Sequence, residues 1–133
     1  MTFPSDKDIK FFAQPEAREF FGARWEPKFG DWALYDDKKV VTIIYVGEND
    51  VSVEHQDYAY GSHWCRKSEP LWLPRPDQLL EMLEEKEYSI VLDTCDRGSV
   101  SVDVFIMEGI SLEASATGPT PAIALAKCVM KTG

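Results

Sequence analysis

The chain has 133 residues, 44% of them hydrophobic, and a formal net charge of −9 from 23 acidic and 14 basic side chains. That length suits a single domain with one core, and the apolar content exceeds what a disordered chain carries. The acidic balance disfavours direct contact with a phosphate backbone or an anionic membrane surface and favours a basic protein surface as partner.

The opening, Met1 to Lys10, lacks a basic segment followed by an apolar run, so no signal peptide is expected. From Pro15 to Phe21 the pattern predicts a short helix, with Pro15 in its first turn and Gly22 as its stop. Strands follow: Asp31–Tyr35, the charged turn Asp36-Asp37-Lys38-Lys39, then Val40–Val46, apolar on both faces and suited to a central position. After the turn Gly47–Asp50, residues Val51, Val53 and His55 alternate with Ser52 and Glu54 in a third, half-exposed strand. Periodicity fails from Gln56 to Pro70, which reads as an irregular loop with the aromatic anchors Tyr58, Tyr60 and Trp64.

Pro76 to Lys86 is the clearest helix, with Leu79, Leu80, Met82 and Leu83 on one side and Glu81, Glu84 and Glu85 on the other. Tyr88–Asp93, Ser99–Met107 and Ile110–Ala114 predict an antiparallel meander, with Val100, Val102, Val104 and Ile106 on its buried face. Thr120 as N-cap and Pro121 as first residue launch a last helix to Lys131. The expected fold class is therefore α+β: antiparallel sheet packed by two main helices plus a short N-terminal helix. It is read as one domain over 1–133, with a strand and loop region at 25–70 and a helix–meander–helix region at 71–133.

Chemistry-bearing patterns are sparse. Cys65, Cys95 and Cys128 are an odd number without paired spacing, which points to a reducing compartment. His63-Trp64-Cys65 has one intervening residue where structural zinc sites use two to four, so no metal site is expected. His63 and Cys65 on one extended segment stand almost 7 Å apart, too far for a nucleophile and its base. Glycine-rich phosphate loops and nucleophile elbows are missing, and the basic residues are scattered, so no cofactor and no direct nucleic-acid contact is expected. No apolar run approaches about 18 residues, so no membrane span is expected and the expected location is the cytoplasm.

Three segments carry a resemblance: Pro27-Lys28-Phe29-Gly30-Asp31-Trp32, Leu71-Trp72-Leu73-Pro74-Arg75-Pro76-Asp77-Gln78-Leu79-Leu80-Glu81-Met82-Leu83, and Gly118-Pro119-Thr120-Pro121-Ala122-Ile123-Ala124-Leu125-Ala126. They resemble small uncharacterised bacteriophage and prophage proteins with a WLPxxDQLxxML segment. The last part also resembles the phage ABA-sandwich domain, a sheet covered by helices on both sides. The resemblance implies a phage or prophage origin, hence the host cytoplasm, and carries no site residues with it.

The function expected on these grounds is that of a non-catalytic accessory protein acting by protein binding. One alternative is an acidic mimic of DNA that inhibits a host nucleic-acid-binding protein. Another is a small enzyme with its site in the 56–70 loop. The candidate partner contacts are Tyr58, Tyr60, Trp64 and Trp72 with Asp36, Asp37, Glu84 and Glu85, against a basic host protein surface. A twofold homodimer is the expected assembly.

Overall fold

The computed structural model describes residues 3–36, 39–56, 61–94, 98–106 and 111–133. Among them are four helices and two antiparallel sheets, of five and three strands, in an α+β fold. Packing divides the chain into two compact units, Ile9–Pro74 and Met1–Asp8 with Arg75–Gly133.

The Ile9–Pro74 unit contains the end of α1 (Asp6–Ala13), then α2 (Pro15–Arg24), β1 (Trp32–Tyr35), β2 (Lys39–Val46), β3 (Asp50–His55), β4 (Ser62–Arg66) and β5 (Leu71–Trp72). Strand order is β4-β3-β2-β1-β5, a four-strand meander whose fifth strand returns to pair with the first. The apolar β2 is central, as its sequence predicts. Ala33, Val41, Ile43, Val51, Val53 and Cys65 form the core cluster on one sheet face, with Trp25 and Tyr35 packed against it. Phe12 and Phe21 meet edge to face at 5.5 Å, and Phe21 meets Trp72 at 6.2 Å. These aromatic contacts hold two helices too short to persist on propensity alone.

Two expectations are corrected here. Helix α2 runs through Gly22 to Arg24 and ends at Trp25, whose backbone is extended. Gly22 does not take the left-handed conformation by which a glycine stops a helix. The segment read as an irregular loop over 56–70 contains strand β4. Its alternation is masked because the inward positions are half-buried His63 and buried Cys65 while the outward position is Trp64.

The other unit holds α3 (Pro76–Glu84), β6 (Ser89–Thr94), β7 (Val100–Phe105), β8 (Leu112–Gly118) and α4 (Pro121–Thr132), with β7 central in its sheet. Strand β8 runs on to Gly118, four residues past the sequence-based end at Ala114. Val100, Val102 and Val104 are buried beside Ala114, Ala116 and Gly118, while Ser101, Ser115 and Thr117 face outward. Helix α4 lies on β7 and β8 and buries Ala122 to Ala126, Cys128 and Val129. Gly118 allows that approach: a Cβ there would stand 2.9 Å from Ile123 Cγ2 and 3.0 Å from the Ala124 nitrogen. Thr120 caps α4 by accepting from the Ile123 amide, as its position before Pro121 implies. Helix α3 packs on α4 and β6, and Gln78 Oε1 accepts the Arg75 amide at its start.

Helix α1 was not anticipated. Ser5 and Asp8 form a reciprocal cap in which Asp8 Oδ2 accepts the Ser5 amide at 2.8 Å and Ser5 Oγ accepts the Asp8 amide at 3.3 Å. That three-residue spacing of hydroxyl and carboxylate was the available signal.

Candidate docking face on the five-stranded sheet

On the face opposite the core cluster, Thr42, Glu54 and Ser62 share one cross-strand row, and Tyr45, Ser52 and Trp64 share the next. Asp50 stands opposite Arg66 at the end of this surface. Tyr45 reaches the face through an irregularity. Val41 and Ile43 point into the core, so strict alternation would send Tyr45 inward too. The register shift between Ile43 and Tyr45 inserts one residue and turns Tyr45 outward, opposite Ser52.

The consequence is an aromatic pair. The rings of Tyr45 and Trp64 stack with centroids 6.3 Å apart and planes 19° from parallel. Ser52, between them on β3, is small enough to be covered and is buried. Yet Tyr45 remains 65% exposed and Trp64 58% exposed, so the pair keeps most of its surface toward solvent. Gly47, at the β2–β3 turn, lies beside the Trp64 ring: its hypothetical Cβ would be 3.6 Å from Cζ3. Val46 is also exposed; exposed Glu54 stands in the neighbouring row on one side of the pair, and exposed Asp50 with Arg66 opposite it on the other.

Beneath β4, the core side holds an unexpected contact. His55 Nε2 and His63 Nε2 are 2.8 Å apart, one necessarily donating and the other accepting. The Tyr35 ring meets His63 at 4.9 Å and His55 at 5.9 Å. Sequence reasoning considered His63 only with Cys65. The β3–β4 register, which places His63 opposite Val53, brings it to His55 instead.

Cys65 is buried, and burial together with Glu69 and Asp50 pushes its thiol up to about 11. It is therefore protonated at neutral pH and poor as a nucleophile. Among the described residues no group of three or more His, Cys, Asp or Glu side chains is arranged to hold a metal ion. Among them also, no helix is long and apolar enough to cross a membrane.

The other sequence-based contacts fall out as follows. Trp72 is 8% exposed and packed among Phe21 and Trp25, so it is not a surface anchor. The reason is its row: Trp72 pairs with Ala33 and shares the core side of β1. Asp36 is exposed in the turn after β1, with φ 55°. Glu84 and Glu85 are exposed at the end of α3, in the other unit. Asp37, Tyr58 and Tyr60 lie outside the described residues. Sequence reasoning missed Tyr45, because only the register shift exposes it.

Fold and surface together define a small α+β protein with an exposed, stacked aromatic pair on one part of a sheet face, whose β1–β5 end is buried at Leu34 and Leu71. No protein-family model, curated protein or solved structure matches the chain.

Proposed function

We propose that this is a phage or prophage accessory protein that works without catalysis, by docking a basic surface of another protein onto the Tyr45–Trp64 face. The observation that carries the reading is the stacked aromatic pair, exposed on both rings, with Glu54 in the row on one side and Asp50 opposite Arg66 on the other. Large aromatic side chains held rigid at a surface supply contact area at low entropic cost and dominate binding energies where they occur. The Glu54 carboxylate suits a partner presenting Arg or Lys, whose cations also favour aromatic faces. The net charge of −9 would steer such a partner at long range. A protonated, buried Cys65 supports the non-catalytic side of the reading.

The test is a paired capture from host lysate with wild-type protein and Trp64→Ala, followed by kinetics on the purified partner. The reading expects a protein retained by the wild type and lost, by about thirtyfold in affinity or more, with the variant. Its on-rate should fall between about 50 mM and 500 mM salt. Equal retention by both proteins would refute this face as the docking surface.

A further inference from the structure

The three-stranded sheet has two edges, and they are finished differently. At the β8 edge, Lys127 and Lys131 of α4 donate to the carbonyl oxygens of Thr117 and Ser115. Charge placed on an edge strand opposes the addition of a further strand. The β6 edge has no such guard. Strand β6 (Ser89–Thr94) contains no lysine, arginine or proline, and it pairs with β7 over all six residues without a register shift. Five of those six residues are exposed. Among the described residues, no hydrogen bond reaches its backbone from any element but β7, apart from the Thr94 amide donating to Asp93 Oδ1.

This open edge is also apolar on both faces. Val91 is 52% exposed and stands beside Asp103 on the outer face of the sheet. Leu92 shares the inner face with buried Val102, but α4 lies over β7 and β8 and leaves Leu92 45% exposed. Half-buried Ile90 precedes them. A regular, unguarded, apolar edge offers a row of backbone donors and acceptors to another strand.

The strand is complementary to itself. Two copies of β6 paired antiparallel about a twofold axis must keep each side chain on its own face, so only pairs of like parity are allowed. Two such registers pair five residues of the strand, one centred on Leu92 and one on Val91. Centring on Leu92 sets the Asp93 carboxylate against Val91. Centring on Val91 sets Val91 against its own copy, Ile90 against Leu92 on the inner face, and the Ser89 hydroxyl against the Asp93 carboxylate on the outer face. It also holds the two Asp93 side chains about 14 Å apart, beyond the screening length of about 8 Å in physiological salt.

We propose that β6 is the contact strand of a twofold dimer of this chain, paired in the Val91-centred register, which joins two three-stranded sheets into one of six strands. Both outer edges of the joined sheet are then β8 edges carrying Lys127 and Lys131, so assembly closes at two copies. A single strand pair is small beside the interfaces of stable complexes, which sets the expected dissociation constant on the order of 10 µM. Two copies each carrying −9 repel at long range, so added salt should tighten the dimer. The dimer does not rest on the Tyr45–Trp64 reading.

Sedimentation equilibrium of the full chain, with amide hydrogen exchange at low and high concentration, tests this. The wild type should pass from monomer to dimer between about 1 and 100 µM. The β6 amides that face away from β7 should exchange more slowly at the upper concentration, and those of β8 equally at both. Val91→Lys, at an exposed position, should keep the circular dichroism of the fold and remain monomeric over the same range. Ser89→Lys should dimerise about tenfold more tightly than Ser89→Asp, since each faces Asp93 of the other copy. A wild-type monomer at about 100 µM overturns the proposal. So does a dimer that a folded Val91→Lys retains, or one in which the β6 amides gain no protection. Equal affinities for the two Ser89 variants overturn the register.

Discussion

The hydroxyl of Thr120 donates to the carboxylate of Asp8 across 112 positions of sequence, at 2.5 Å and out of contact with water. Each partner also serves its own helix. Thr120 Oγ1 accepts the Ile123 amide at the start of α4, and Asp8 accepts the Ser5 amide and hydroxyl at the start of α1. One buried bond thus joins two helix caps within the unit formed by the two ends of the chain.

Because both groups are buried, removing either leaves the other unsatisfied. Asp8→Ala and Thr120→Val are each expected to lower unfolding free energy by about 1–3 kcal/mol. The double variant should cost less than the sum, with a coupling of about 0.5–3 kcal/mol. Urea denaturation of the four proteins measures this, and additive losses would show that the bond does not couple the caps.

Exposure separates the docking pair from the core beneath it. Trp64→Ala should cost at most about 1 kcal/mol of stability, the scale of an aromatic pair. Ile43→Ala, at a fully buried position of the same sheet, should cost about 2–5 kcal/mol. Comparable losses at the two positions in denaturant titrations would mean that Trp64 serves the fold more than the surface.

Glycines divide in the same way. Gly22→Ala is expected to raise stability by about 0.5–1 kcal/mol, since nothing occupies the space its Cβ would fill. Gly30→Ala should lower it by about 1 kcal/mol or more, because Gly30 has φ 89° ahead of Asp31 and β1. Thermal unfolding of the two variants gives opposite shifts if these conformational arguments hold.

The thiol of Cys65 titrates at about 11 in the folded protein against 9.0 for an ordinary cysteine, through burial first and Glu69 and Asp50 second. Between those values the unfolded chain binds fewer protons than the native one. Stability from this group is therefore complete below pH 9.0 and declines as pH rises toward about 11. Denaturation curves across this window should steepen their decline in the wild type relative to Cys65→Ala. At pH near 8, native Cys65 should react with a thiol reagent far more slowly than the unfolded chain.

Lys127 and Lys131 reach over the open edge of β8, with Nζ at 2.9 Å from the Thr117 carbonyl oxygen and 2.6 Å from that of Ser115. The match is one of spacing: four residues of helix rise about 6 Å and two residues of strand about 6.7 Å. Changing both lysines to methionine removes the charges that guard this edge. The variant should keep its helix and strand content yet assemble in sedimentation measurements beyond the largest mass the wild type reaches. An unchanged sedimentation profile would deny the lysines that role.

Much of the architecture was legible because its causes are local. The stripe of Leu79 and Leu83, the alternation of Val100, Val102 and Val104, and the Thr120-Pro121 start each report a face or an end within a few residues. Strand β4 escaped because its inward residues are His63 and Cys65 and its outward one is Trp64, so the hydropathy along it barely alternates. Helix α1 escaped although its signal was present in Ser5 and Asp8.

The candidate surfaces were less accessible to such reasoning. Trp64 and Trp72 look alike as lone tryptophans in short apolar or mixed segments, yet one is a surface ring and the other a buried one. By itself the sequence determined the fold class, the central place of β2, the two main helices and the acidic balance. These follow from periodicity, capping and composition, which act over a few residues or over the whole chain. Tertiary structure alone decided which tryptophan faces water, that Tyr45 stacks on Trp64, and that His55 meets His63. Those outcomes hang on strand register, and one inserted residue at the Ile43–Tyr45 irregularity reverses the face on which a side chain emerges.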